Sequence, residues 1–310
     1  MTSAAFLFPG QLSEWVGMGR DFYDADGDAR SLFASTSARC GRDLARLMFE
    51  GPAEELGENL AAQAAVFLVS TLAARTLVAA GVRPCATAGY SLGNYAAIVA
   101  CGAISYEEAL DVLIAVWRET EARQIRGAMG AVIGARREVV EAVCETLRQS
   151  RRPVWIGNVN ASTQFVLTGT PEGVASALDE LRPRAISVLP LKMSWPIHSE
   201  RMRPVAEAIA PLIAGLSTIR DPAVPYYGPE GHVVKSGEEV RRILGTGFCF
   251  PTLWKDAFEA MVADGHRLLL EVGPGEMLCR MARWIDRSAH CHPAGTTATV
   301  RAAVDIVAGR

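Results

Sequence analysis

Apolar and polar positions alternate in two textures along the chain. Ala4 to Phe8 is a short apolar run closed by Pro9-Gly10, which predicts a buried strand entering a loop. Phe33 to Met48 and Gln63 to Ala80 place apolar residues at helical spacing, and each predicts a helix. Ala86 to Gly89 reads as a short strand, followed by helices at Tyr95 to Cys101 and Tyr106 to Gln124. After Arg126 the pattern changes. Ala128 to Ile133 predicts a strand, Arg137 to Arg148 a helix, and Val154 to Asn160 with Gln164 to Gly169 a hairpin. Pro171 to Leu181 predicts a helix with Thr170 as its N-cap, and Ala185 to Leu189 a last strand. Strand–helix–strand–strand–helix–strand is the split βαβ, ferredoxin-like order. Beyond it, Arg201 to Ala214 predicts a helix. Leu268 to Val272 predicts a buried strand closed by Gly273-Pro274-Gly275. The expected class is α/β. A larger unit, 1–126 with 191–310, is built on a parallel sheet, and a ferredoxin-like unit, 127–190, is inserted into it.

Composition narrows the function classes. Half of the 310 residues are hydrophobic, 21% are charged and the net charge is −3, which gives no electrostatic footprint for nucleic acid. The longest apolar stretch, Ala61 to Val82, carries Gln63, Ser70, Thr71 and Arg75, so a buried core helix is expected over a membrane span. The opening MTSAAFLFPGQ has neither a basic segment nor a long apolar run and does not read as a signal peptide. Seven scattered cysteines without a CxxC pair predict free thiols in a reducing, cytoplasmic setting. His290-Cys291-His292 has no second ligand pair at a suitable spacing, so no metal is expected.

The chemistry centres on Gly89-Tyr90-Ser91-Leu92-Gly93. A serine hydroxyl is a weak nucleophile until it is positioned and its proton removed. A strand, a Gly-x-Ser-x-Gly turn and a helix expose the serine at the top of a sheet, with the N–H of Leu92 at a helix N-terminus facing a developing oxyanion. The same spacing also serves as a plain packing turn. Of five histidines, His198 in KMSWPIHSERM is the leading base, ahead of His232, His266, His290 and His292.

FLFPGQ, GYSLGNYAA, GAMGAVIG, NVNASTQFVLTG, IHSERM and EVGPGEML follow in that order. Together they resemble the malonyl-CoA:acyl carrier protein transacylase family, which includes the acyltransferases of polyketide synthases. The resemblance spans nearly the whole chain. It implies an α/β-hydrolase-like large subdomain and a ping-pong reaction. An acyl group passes from a thioester to Ser91 and then to the phosphopantetheine thiol of a carrier protein. It implies Ser91 as nucleophile, His198 as base, the N–H groups of Gln11 and Leu92 as oxyanion donors, and a main-chain carbonyl near Gly247 as the histidine's partner. No bound cofactor, nucleic acid or membrane is expected, and the chain is expected to be monomeric.

The departures bear on substrate. Tyr90 and Asn94 stand where the family usually has His and Glu; Leu12 and Glu14 alter the N-terminal motif; Ala62 and Ala64 flank Gln63. Malonyl-using members carry an arginine on the helix after the nucleophile, and ungapped alignment puts Val116 there. Arg118, two residues on, is rotated by about 200° and is expected to face away. Gln63, Tyr90, Val116, Arg118, Asn160 and Trp195 are the candidate substrate-binding positions. A substrate without a free carboxylate follows, such as an aminoacyl or dipeptidyl group, with Glu14 or Glu119 as conceivable partners for an ammonium. The alternatives are a malonyl transferase using Arg118 and an editing acyl hydrolase. Arg148, Arg151 and Arg152, and Arg280, Arg283 and Arg287, form two basic clusters suited to an acidic carrier protein.

Overall fold

A computed structural model describes residues 3–310. Its strands are β1 (Ser3–Phe8), β2 (Arg83–Gly89), β3 (Ala128–Ile133), β4 (Val154–Ala161), β5 (Gln164–Gly169), β6 (Ser187–Leu191), β7 (Tyr226–Tyr227), β8 (Val233–Val234), β9 (Leu268–Glu271) and β10 (His290–Pro293). Six of them form one sheet in the order β10-β9-β1-β2-β7-β8. The first five run parallel and β8 returns antiparallel to β7. Central β1 is covered on both faces, which explains its unbroken apolar run. Phe6 and Phe8 point into a core shared with the helices Asn59–Ala79, Gly93–Ala100 and Tyr106–Ala122. Ala5 and Leu7 point to the other face, under Trp254–Ala263 and Met277–Ile285. Asn59–Ala79 is long and apolar enough to cross a membrane, but 83% of its apolar window is buried in the protein.

The remaining strands form an antiparallel sheet, β4-β5-β3-β6, with its own core beneath the helices Arg137–Gln149 and Pro171–Leu181. This is the split βαβ arrangement. The fold is therefore the expected one, a parallel α/β sheet with a ferredoxin-like insertion. Thr170 Oγ1 accepts from Gly173 N at 3.1 Å, so the N-cap lies where the sequence put it.

Some elements differ from expectation. The helix expected at Phe33–Met48 is two, Gly27–Cys40 and Leu44–Glu50. Gly41 takes φ 65° and ends the first, and Asp43 caps the second by accepting from Arg46 N at 3.0 Å. The last strand of the inserted sheet begins two residues late, at Ser187, because it pairs in register with Ile133–Met129 of β3. His290-Cys291-His292 lies in β10, beside β9, followed by a helix at Thr297–Val307. That pairing brings Cys291 to Cys279, Cα atoms 5.0 Å apart, and the two sulfurs are bonded. The expectation of free thiols thus fails for this pair, a tertiary proximity that a 12-residue separation conceals; Cys40, Cys85, Cys101, Cys144 and Cys249 are free.

A seam joins the small sheet to two loop segments of the larger unit. Val159 N donates to Thr252 O at 2.9 Å and Thr252 N to Gly157 O at 2.8 Å. From β5, Thr168 Oγ1 donates to Ile197 O at 2.8 Å. The segments carrying residues 197–198 and 250–252 are thereby fastened to the small sheet.

Candidate active site

Ser91 stands between the end of β2 and the helix Gly93–Ala100, with φ 53°. Such a backbone is strained for a residue with a side chain, and strain of this kind concentrates at functional sites. The flanking glycines are required by contact: a Cβ on Gly93 would lie 2.0 Å from Phe8 O, and one on Gly89 2.2 Å from Asn94 N. Tyr90 N donates to Phe8 O at 2.9 Å, pinning the turn to β1. Asn94, buried, braces it from the other side. Its Nδ2 donates to Ser91 O at 2.9 Å while its Oδ1 accepts from Tyr226 Oη at 2.7 Å. Tyr226 sets which end of the amide faces the serine, a role invisible from the sequence. The Tyr90 ring packs edge-on to Trp254, and its hydroxyl faces Asn160.

Ser91 Oγ and His198 Nε2 are 2.7 Å apart. His198 also has a left-handed backbone, φ 64°. Its N–H donates to Phe248 O at 2.8 Å and its Nδ1 lies 3.1 Å from Phe250 O. A carbonyl only accepts, so Nδ1 carries the proton and the Nε2 lone pair faces the serine hydroxyl. The orienting carbonyl is thus that of Phe250, not Gly247 as expected. The short turn Gly247–Cys249 carries the chain round so that the later carbonyl reaches the ring, and Gly247 lends only a lesser backbone interaction. Burial drives the imidazole pKa down to about 4, opposed by those two main-chain contacts, so the ring is neutral near pH 7.

Gln11 follows β1 beside this pair. Its side chain belongs to a chain of amides: Gln63 Nε2 donates to Gln11 Oε1 at 3.0 Å, Gln11 Nε2 to Asn59 Oδ1 at 3.1 Å, and Asn59 Nδ2 to Ser194 Oγ at 3.2 Å. Among the described residues, neither Gln11 N–H nor Leu92 N–H has a main-chain or side-chain acceptor, and both residues line the cavity over Ser91. Such an arrangement can take a thioester carbonyl, receive a proton on Nε2 and hold an oxyanion on two N–H groups.

The cavity holding Ser91 and His198 encloses about 970 Å³ out to its open mouth. Val116, Ile98, Met129, Val166 and Ile243 form much of its wall, with Tyr95 and Asn158 as uncharged polar interruptions. Among the described residues, no Lys, Arg, Asp or Glu lines it. Val116 is inside and buried, while Arg118 is exposed on the outer face of its helix, as the rotation argument requires. Three expectations fail. Trp195 is fully buried in the protein core, its Nε1 donating to Glu121 at 3.0 Å, and does not line the cavity. Asn160 sits behind Tyr90; Asn158, two residues earlier on the bulged strand β4, lines the cavity instead. Glu14 accepts from Leu12 N and Glu119 pairs with Arg123, so neither carboxylate faces an acyl group.

Residues 5–294 match the acyl transferase domain family. The chain belongs to that family, and it is an acyltransferase. It is 31% identical over 291 residues to a malonyl CoA-acyl carrier protein transacylase of Bacillus subtilis, covering 93% of this chain and 92% of that one. It is 34% identical over 288 residues to the polyketide biosynthesis protein ThaF of Burkholderia thailandensis, covering 91% of this chain but 24% of that much longer protein. Among solved structures, a malonyl-transacylase in complex with its type II PKS acyl-carrier protein, PlMCAT:AntF, superposes with a TM-score of 0.92 at 30% identity, over 98% of this chain and 99% of that one.

The two basic clusters differ in their surroundings. Arg148 pairs with Glu145 and donates to Val154 O, and Arg152 donates to Ser176, while Arg151 is exposed. Arg280, Arg283 and Arg287 are exposed on or just after the helix Met277–Ile285.

Proposed function

We propose that the protein moves an acyl group lacking a free carboxylate between the phosphopantetheine thiols of carrier proteins, through an ester on Ser91. As Ser91 Oγ attacks the thioester carbonyl, its proton passes to Nε2 of His198. The oxyanion lies against the N–H groups of Gln11 and Leu92. Collapse breaks the C–S bond, and the departing thiolate takes the proton back from Nε2. A second carrier thiol then gives its proton to Nε2 and attacks the ester; the C–O bond breaks and the departing Ser91 Oγ takes that proton back from Nε2. The carrier and its polyketide setting are supported by the names of ThaF and of the PlMCAT:AntF complex.

One observation carries the substrate reading: Val116 faces the cavity and, among the described residues, no cation lines it. A carboxylate buried there would lack a partner, at a cost of roughly 3–5 kcal/mol. A buried ammonium would lack one equally, so the reading favours a neutral acyl chain over one that inserts a free amine. The malonyl names of the relatives favour the second reading, a malonyl transfer served by Arg118. The test is the intact mass of Ser91 adducts after incubation with malonyl, butyryl and aminoacyl thioesters. Butyryl loading should exceed malonyl loading by about 100-fold or more, as the lost ion pair implies, and Arg118→Ala should leave both within about twofold. Rapid malonylation abolished by Arg118→Ala would replace this reading with the second. Release of the ester to water within seconds, with no thiol present, would make the protein a hydrolase.

A further inference from the structure

The molecule's most exposed large aromatic side chain among the described residues is Trp284, at 79% of its full accessibility. It lies in the last turn of the helix Met277–Ile285 and borders a surface groove lined also by Met277, Met281, Gln164 and Ser13. Leu12, itself exposed, lines both this groove and the cavity over Ser91, so the groove runs up to the cavity mouth. Leu12 follows Gln11 directly. The Ser13 hydroxyl is buried in the groove and has no hydrogen-bond partner among the described residues. An indole left in water beside an open groove is the anchor that protein interfaces use.

Charge selects the occupant. Arg280, Arg283 and Arg287 are exposed four residues before, one before and three after Trp284, and among the described residues neither Arg283 nor Arg287 has a carboxylate within pairing distance; Arg280 reaches Glu276 only at 3.6 Å. The competing cleft, on the other side of His198, is lined by Arg137, Arg148 and Arg203; the first two are paired with glutamates on their own helix, and Arg203 has no carboxylate within pairing distance among the described residues. Two of its three cations are thus neutralised within the chain, and among the described residues it carries no exposed aromatic anchor comparable to Trp284.

Resting on the function proposed above, we propose that the acidic helix of the carrier protein docks on the face of Met277–Ile285. Trp284 is the central apolar anchor, and Arg283 and Arg287 are the steering charges. The phosphopantetheine arm lies along the groove past Ser13 and enters the cavity at Leu12. Of the two basic clusters, this one is the docking face and Arg148–Arg152 is not.

The probe is a bacterial fatty-acid-synthase holo acyl carrier protein, measured two ways against the full chain: binding by calorimetry to the Ser91→Ala variant, and transfer from butyryl-Ser91. Free pantetheine serves as a docking-independent acceptor. Trp284→Ala should weaken carrier binding and raise the carrier KM by about 10- to 30-fold. Arg283→Glu should do so by about 10-fold at low salt, with the effect shrinking as salt rises. Both should leave kcat and transfer to pantetheine within twofold, which also shows that the variants fold. Arg151→Glu should change nothing by more than twofold. Carrier binding left within twofold by both Trp284→Ala and Arg283→Glu, no binding of the probe at all, or a larger loss from Arg151→Glu would each overturn the docking face. Failure of Ser91 to acquire any acyl group would defeat the function while leaving the binding measurement intact.

Discussion

Ser91 and His198 meet at 2.7 Å, yet two regions hold them in different ways. Ser91 is held locally. The turn joins two consecutive elements, its glycines sit against Phe8 and Asn94, and one nearby amide braces its carbonyl. His198 is held at a distance. Its ring is oriented by Phe250 and its backbone by Phe248, while its neighbour Ile197 is tethered to Thr168 of the inserted sheet. The nucleophile belongs to the large sheet; the base is fixed at the seam between the small sheet and the larger unit. The insertion therefore does more than roof the cavity: it fastens the segments that aim the imidazole.

Four measurements break or sharpen that contrast. The largest effect is expected at the serine turn. Gly93→Ala forces a Cβ to within 2.0 Å of Phe8 O, main chain that cannot swing aside. It should cost more than about 4 kcal/mol, seen as insoluble protein or a collapsed melting temperature with no Ser91 adduct. A soluble, fully active variant would show that the turn is not fixed by contact.

The next is a pH effect at the base. Ser91 acylation needs neutral His198, whose pKa is lowered to about 4. The rate should be flat from neutral pH down to about 5, and below about 4 it should fall toward tenfold per unit. Stability follows the same sign. The unfolded chain takes up this proton from about pH 6.5 while the native state resists it, so the contribution is full above that pH and lost as pH falls toward about 4. A rate midpoint near 6.5 would mean a solvated imidazole and a looser seam.

The smallest effects separate the two supports. Asn94→Ala strands the Tyr226 hydroxyl in the core and should cost about 1–3 kcal/mol of stability with a drop in kcat. Thr168→Val keeps the shape and loses the tether to Ile197, at about 1 kcal/mol. It should lower kcat several-fold with little change in KM, since the tether touches no substrate. Equal kcat losses from a change on either sheet would show that both partners depend on the seam; no loss from Thr168→Val would confine the base's support to residues 248–250.

The sequence made most of this legible where the physics is local. Helical and strand periodicity, the Gly-x-Ser-x-Gly turn and the Thr170 cap all arise from neighbours along the chain, and the elements expected from them stand within a few residues of expectation, apart from the Phe33–Met48 helix, which is two. Exclusion of Arg118 was legible too, because two residues of helix fix a rotation. It failed for Trp195, Asn160 and Gly247, where the question was which way a side chain or carbonyl points after distant segments pack. A Trp three residues before the base looks like a pocket residue until its indole is found on Glu121. Asn158 and Asn160 are equivalent by alternation until the β4 bulges select one. Period, steric contact and turn chemistry are carried by residues close along the chain, and they specified the two-sheet fold and the nucleophile. The partner of His198, the Asn94–Tyr226 brace, the Cys279–Cys291 bond and the uncharged cavity were decided by tertiary packing, because each joins residues whose separation along the chain says nothing of their distance in space.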